Sequence, residues 1–153
     1  MTTLTAFGIS LEVPDGWEAR AFVHRGGEPT LHLASFPLPH SDGDFGTTAT
    51  ARMPVASLFL ALTEYSLTPA ELARGLFAHG PPRRLAAEHF SDRALIRPAA
   101  GQLGLQRFFS AAGRGFCLYV VTRSAGEARL DALNKVLASI DYGARPAAST
   151  ARA

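Results

Sequence analysis

The stretch Phe116-Cys117-Leu118-Tyr119-Val120-Val121 decides the fold, because it runs for six residues without a charge and without polar alternation. A strand with one face in water alternates apolar and polar side chains, whereas a strand covered on both faces reads as a continuous apolar run. The stretch therefore predicts a central β-strand, with another layer packed on each face of its sheet.

Strands and turns on the N-terminal side extend this sheet. Residues 105–111 precede the central stretch, and Ala112-Gly113-Arg114-Gly115 between them predicts a hairpin of residues 105–111 and 116–123. Nearer the N-terminus, apolar and polar residues alternate up to a turn at Pro14-Asp15-Gly16. Three early strands are predicted as a meander of antiparallel hairpins: 6–13, 17–24 and 30–36.

Helical signals account for most of the remaining chain. Pro54 suits the first position of a helix, and Leu58, Leu62 and Tyr65 follow it at helical spacing. Thr68-Pro69-Ala70-Glu71 matches a capping box. The further predicted elements are a strand at 47–53, a helix from 54, a helix at 69–79, short strands at 84–88 and 93–97, and a helix at 128–141 with an apolar stripe of Leu130, Leu133, Val136, Leu137 and Ile140.

Composition indicates one globular domain. The chain has 153 residues, of which 47% are hydrophobic and 18% charged, and its net charge is +2. We expect a single domain at residues 1–143 and a flexible C-terminal tail at 144–153. So small a charge gives no reason to expect a nucleic-acid or membrane partner. Fourteen arginines against one lysine, Lys135, are typical of a GC-rich bacterial genome.

The single cysteine excludes an intramolecular disulfide framework and any multi-cysteine metal site. The N-terminus has neither a basic segment nor a long apolar one, so we expect no signal peptide and a cytoplasmic location. We also expect Cys117 to be a buried structural residue rather than a nucleophile, because its neighbours in the strand are apolar.

The chain resembles a known superfamily in the segment Ser10-Leu11-Glu12-Val13-Pro14-Asp15-Gly16-Trp17 and in the helix end from Val136 to Ile140. The resemblance also lies in the order of the elements between them: strands, a helix started by proline and a late hairpin rich in phenylalanine. Over about residues 7–142 the chain thus resembles the PsbP-like families. These include bacterial DcrB-like and LpqN-like members and a eukaryotic Ran-binding import factor. The resemblance implies an α+β fold in which an antiparallel β-sheet packs between α-helices, an α/β/α sandwich. It also implies an accessory or binding protein without a shared active site.

Two histidines are the candidate metal ligands. If the hairpin after residue 24 centres on Glu28, His24 and His32 face each other and could share a metal ion. If Gly26-Gly27 is a two-residue loop, His32 pairs with Ala21 and the site is lost. We expect ordinary surface histidines and no cofactor.

The acidic loop Asp42-Gly43-Asp44 is interpreted as a turn, because the longer spacing of a calcium loop is missing.

Aromatic and arginine side chains supply the candidate binding residues. Trp17, Phe108, Phe109 and Phe116 form a core or a partner-binding face. Phe108 and Phe109 are consecutive in a strand, so they point to opposite faces, and one of them meets something other than the main core. Three arginines of the late hairpin could bind an anion: Arg107, Arg114 and Arg123.

The sequence contains none of the common catalytic or nucleotide-binding motifs. It therefore favours a non-enzymatic binding or adaptor domain that acts through protein–protein contacts, with another protein or with a second copy. The alternative is a small-ligand-binding or hydrolytic module with a pocket between the sheet and the helices.

Overall fold

The computed structural model describes residues 1–143, and the predicted tail at 144–153 lies outside them. The fold is of the α+β class, with antiparallel strands in two sheets. The elements in chain order are β1 (Thr2–Ala6), β2 (Ile9–Val13), β3 (Glu18–Val23), β4 (Pro29–Ala34), α1 (Thr47–Ala51), β5 (Ser57–Tyr65), α2 (Pro69–Leu72), β6 (Gln102–Ala111), β7 (Arg114–Arg123) and α3 (Glu127–Ser139). Short 3₁₀ turns occupy Gly75–Phe77, Ala87–His89 and Asp92–Ala94.

The central strand is confirmed. β7 lies between β5 and β6 in a five-stranded sheet of order β3-β4-β5-β7-β6. Every residue from Phe116 to Val121 is at most 2% exposed. On one face, Leu118 and Val120 pack in a core with β2 and α3. On the other face, Tyr119 packs with residues of α1 and of the loops around it. Both faces are therefore covered, as the apolar run predicts.

The late hairpin and the last helix are also confirmed. β6 and β7 pair from Gln102 opposite Arg123 to Ala111 opposite Arg114. Ala112 and Gly113 form the turn, and both have the positive φ that a tight hairpin turn requires. In α3 the most buried stripe residues are Leu133, Val136 and Leu137. No helix within residues 1–143 is long and apolar enough to cross a bilayer.

The predicted single strand at 6–13 and its meander are wrong in part. Phe7 and Gly8 both have positive φ and make a two-residue turn, so β1 and β2 form a hairpin of their own. The other edge of β2 binds the C-terminal segment, where the Ser10 amide donates to the Asp141 carbonyl at 3.0 Å. β2 therefore does not pair with β3, whereas the predicted β3–β4 hairpin is confirmed.

Two predictions in the middle of the chain are wrong. Residues 47–53 are not a strand but contain helix α1, whose first amides are bound by a carboxylate of the preceding loop. Asp42 accepts hydrogen bonds from Thr48 at 2.9 Å and Ala49 at 2.7 Å. The helix predicted from Pro54 is strand β5, which pairs with both β4 and β7 and is almost wholly buried. The apolar side chains of β5 are buried on both faces of the sheet and do not form a single helical stripe.

The segment from 68 to 104 is confirmed only at its start. The Thr68 hydroxyl accepts from the Glu71 amide, and the Glu71 carboxylate accepts from the Thr68 amide, so the capping box is present. α2 ends at Leu72 instead of residue 79. The short strands predicted at 84–88 and 93–97 are 3₁₀ turns and extended chain. The side chain of Asn134 in α3 binds this extended segment through two hydrogen bonds to the backbone of Leu85.

Candidate functional site

The two edge strands of the five-stranded sheet differ in how much of their backbone is used. In β6, Gly104 exchanges two hydrogen bonds of 2.8 Å with Ser91. The Ser110 amide donates to the His79 carbonyl at 2.8 Å, and the Gln102 amide donates to Ala99. The segment between α2 and β6 therefore binds this edge near both ends of the strand, and a covering segment is one way in which proteins protect a sheet edge.

β3 forms the opposite edge, and its outer side is open. The Ser35 amide donates to the Leu58 carbonyl, so the backbone groups of Ser35 point towards β5. Since these groups alternate along an antiparallel strand, the β4 residues that point towards β3 are Ala34, His32 and Thr30. Their partners are Glu18, Arg20 and Phe22.

The outward amides and carbonyls of β3 therefore belong to Ala19, Ala21 and Val23. Within residues 1–143, no hydrogen bond reaches any of these six groups. Ala21 is exposed, and Val23 is 52% exposed. This strand presents an unused ladder edge to solvent.

One face of the open edge borders a groove with both apolar and polar walls. A groove of about 410 Å³ runs between β1 and the start of β3. Its walls include Leu4, Val13, Trp17 and Ala19. The Trp17 side chain is only 9% exposed and forms part of the main core. Trp17, a predicted binding residue, thus lies next to the open edge.

The other face borders a recess of about 350 Å³. The Phe22 ring packs between two imidazoles, with its centroid 4.7 Å from that of His24 and 4.7 Å from that of His32. Arg20 spans the recess and donates from Nε to the Pro39 carbonyl at 3.0 Å. The recess therefore combines aromatic, imidazole and guanidinium groups beside the same strand edge.

Both predicted registers of His24 and His32 are wrong, because His32 stands opposite Arg20. The two side chains nevertheless share the recess. Each Nε2 donates to a loop carbonyl, that of His24 to Asp42 and that of His32 to Asp44, the latter at 2.8 Å. Burial lowers the pKa of His32. Among residues 1–143, no cluster of three metal-ligating side chains is present.

The predicted aromatic residues are distributed over three places. Phe109 stacks on Phe116 with ring centroids 5.5 Å apart, inside the main core. Phe108 lies on the opposite face, as predicted, and meets Phe77 at 5.6 Å and Tyr65 at 6.5 Å. These five rings form two separate groups, one on each face of the sheet, and Trp17 is the predicted aromatic residue that borders the open edge.

The three predicted arginines are not brought together. Arg114 and Arg123 stand at opposite ends of β7, about 30 Å apart at the usual rise of a strand. The Arg123 guanidinium donates to the Met53 carbonyl, and that of Arg107 donates to the carbonyl of Gln106. An anion site that uses all three side chains is therefore not formed.

Arg114 has a structural role. Its side chain is 1% exposed and forms two hydrogen bonds, of 2.8 and 2.9 Å, with the Glu64 carboxylate. It also donates to the carbonyls of Tyr142 and Phe7, each at 2.6 Å, and its guanidinium lies 5.4 Å from the centroid of the Phe116 ring. One side chain thus connects β5, β7, the turn after β1 and the chain after α3.

Cys117 and the acidic loop at Asp42 also have structural roles. Cys117 is 1% exposed, and burial raises the pKa of its thiol to about 12. At neutral pH it is protonated and is not a nucleophile. The carboxylate of Asp42 is engaged by backbone amides, including that of Gly43 at 2.8 Å. The Asp42 loop lines the recess, whereas Cys117 belongs to the buried central strand.

No family model, no curated protein and no solved structure matches this chain. The resemblance to the PsbP-like families rests on the order of the predicted elements and on the segments 10–17 and 136–140, and it stays a prediction. The feature that the sequence did not reveal is the open β3 edge with a groove on each face. Its only sequence signal is the run Glu18-Ala19-Arg20-Ala21, which is too polar for a strand inside a sheet.

Proposed function

We propose that this chain is a non-enzymatic protein-binding domain, and that the outer edge of β3 receives an extended segment of a partner protein. The observation that carries the proposal is the unused set of backbone groups on Ala19, Ala21 and Val23. At the other edge, in contrast, Gln102, Gly104 and Ser110 of β6 form four backbone hydrogen bonds with the segment that precedes the strand.

Addition of a strand to a sheet edge is a common mode of peptide recognition. Backbone hydrogen bonds supply affinity, and recesses for alternate side chains supply specificity. The β3 edge offers both the free backbone groups and the recesses. Successive side chains of an added strand point to opposite faces of the sheet. One set would enter the groove beside Trp17, and the other would enter the recess beside Phe22 and His24.

The character of the two recesses favours particular side chains. In the groove, the apolar side chains of Trp17 and Leu4 suit an aliphatic or aromatic residue. Thr2, Thr3 and Asp15 also line the groove and could bind a polar group at the end of that residue. The recess beside Phe22 and Arg20 suits an aromatic ring or a carboxylate, since a guanidinium binds both. We therefore propose a partner segment in which apolar residues alternate with aromatic or acidic residues.

The PsbP-like sandwich remains the proposed finer description of the fold. In its support, α3 covers one face of the large sheet and α1 covers part of the other. We also propose a cytoplasmic location, supported by one unpaired thiol, and a protein partner in preference to nucleic acid, supported by the net charge of +2.

The test uses a displayed library of random linear peptides against the full chain. Peptides that are enriched are then measured by calorimetry against two variants at one position. Ala21→Pro removes an outward amide without touching the ladder with β4. Ala21→Thr keeps that amide and is the matched control.

We expect Ala21→Pro to weaken peptide binding at least about tenfold, because it removes a hydrogen bond and obstructs the approaching strand. Ala21→Thr should keep the affinity. Amides of β3 should gain protection from hydrogen exchange when the peptide is bound. Failure to enrich any peptide, or equal binding by both variants, would refute the proposal.

A further inference from the structure

The β3 edge is complementary to itself, and this identifies a partner. Two antiparallel copies of one strand are related by a twofold axis perpendicular to the sheet, which keeps each side chain on its own face. A residue can then stand opposite only those residues that share its face. The axis must therefore pass through a residue of β3, and the candidates near its centre are Arg20, Ala21 and Phe22.

Backbone hydrogen bonds select one of these registers. The outward groups lie on Ala19, Ala21 and Val23. With the axis at Ala21, Ala21 stands opposite itself and Ala19 stands opposite Val23. All three residues then bond in both copies, which makes about six hydrogen bonds at two per hydrogen-bonded pair. With the axis at Arg20 or at Phe22, one of these three residues stands opposite a residue outside β3 and forms no pair in the ladder.

Side chains select the same register. With the axis at Ala21, Arg20 stands opposite Phe22 of the second copy, and Glu18 stands opposite His24. A guanidinium beside an aromatic ring is attractive, and cross-strand pairs of this kind stabilise a sheet. An axis at Arg20 would instead place two arginines opposite each other. An axis at Phe22 would place Arg20 opposite His24.

We propose that a second copy of this chain occupies the open edge, through antiparallel pairing of β3 with β3 about Ala21. This inference rests on the proposed function, since it names the extended segment that the edge receives. The two five-stranded sheets then form one continuous ten-stranded sheet. The small exposed side chain of Ala21 lies on the axis and does not obstruct the approach.

A cysteine cross-link tests the register. In the proposed dimer the two copies of residue 21 have Cα atoms about 5.5 Å apart, which a disulfide can span. The two copies of residue 23 are about 13 Å apart, four residues along the strand, and cannot be bridged. The chain's own thiol, Cys117, is buried. Ala21→Cys and Val23→Cys, which is also exposed, are thus a matched pair.

We expect mild oxidation to cross-link Ala21→Cys at least about tenfold faster than Val23→Cys. Sedimentation of the unmodified wild-type chain should show a reversible monomer–dimer equilibrium below about 1 mM, and Ala21→Pro should shift it to monomer. A wild-type chain that stays monomeric throughout this range overturns the inference, and so do equal cross-linking rates.

The outcomes separate this inference from the proposed function. A monomeric chain that still binds library peptides, and loses them through Ala21→Pro, retains the binding edge and excludes the second copy as its occupant. A chain that neither dimerises nor binds peptides refutes both. If the dimer forms as proposed, an excess of a selected peptide should dissociate it, because both compete for the same backbone groups.

Discussion

Replacing Glu64 by leucine should destabilise the protein more than any exposed substitution. Glu64 is the carboxylate partner of Arg114, and the two side chains are 4% and 1% exposed. The substitution leaves a guanidinium buried without its counter-charge. Such a loss costs about 3–5 kcal/mol, a large part of a typical stability of about 5–15 kcal/mol.

Adding Arg114→Met to Glu64→Leu should restore part of the lost stability. The second change removes the buried charge and replaces it with an apolar side chain of similar length. What then remains is the loss of partners for the Phe7 and Tyr142 carbonyls, about 2 kcal/mol in total. We therefore expect the double variant to be at least about 1 kcal/mol more stable than Glu64→Leu alone.

The assay is urea unfolding at pH 7, followed by the fluorescence of Trp17, the only tryptophan. An exposed ion pair, between the Met1 amino group and Asp15 at 2.7 Å, provides the control. Asp15→Asn should leave the urea midpoint unchanged within error. The reasoning fails if Glu64→Leu costs under about 1 kcal/mol, or if the double variant is less stable than the single one.

Three further substitutions or conditions test the remaining buried groups. Gly46→Ala should lower the free energy of unfolding by at least about 2 kcal/mol in urea titrations, because Gly46 has φ +67° and a Cβ there would overlap the Phe59 ring. Cys117 should react with an aromatic disulfide reagent at pH 8 only as fast as the chain unfolds; rapid reaction of the native protein would show that the thiol is accessible. Since burial lowers the pKa of His32, the unfolded chain binds its proton first, and urea midpoints should fall as the pH drops below about 6.5. His32→Gln should flatten this pH dependence, and an unchanged profile would assign it to other groups.

The elements predicted correctly are those that local patterns determine. The β6–β7 hairpin follows from a glycine-containing turn between apolar runs, and α3 follows from a stripe at helical spacing. The capping box at Thr68 is likewise a contact within four residues. In these cases the residues that decide the structure lie next to one another in the chain.

The failed predictions involve partners that lie outside the predicted element. β5 has apolar residues at helical spacing, but β4 and β7 bind its two edges and make it a strand. α1 has threonines that favour strands, yet Asp42 caps it from outside the helix. The open edge could not be predicted either, because strand order in a sheet depends on pairing across the whole chain.

The difference between the two edges of the large sheet limits how far it can grow. Sheets with two free edges can add strands on both sides without end, which is the geometry of fibres. Here the segment that binds β6 through Ser91 and His79 obstructs a strand that approaches that side. A strand that joins β3 occupies the unobstructed side, so further growth of the sheet along the hydrogen-bond direction is disfavoured after one addition.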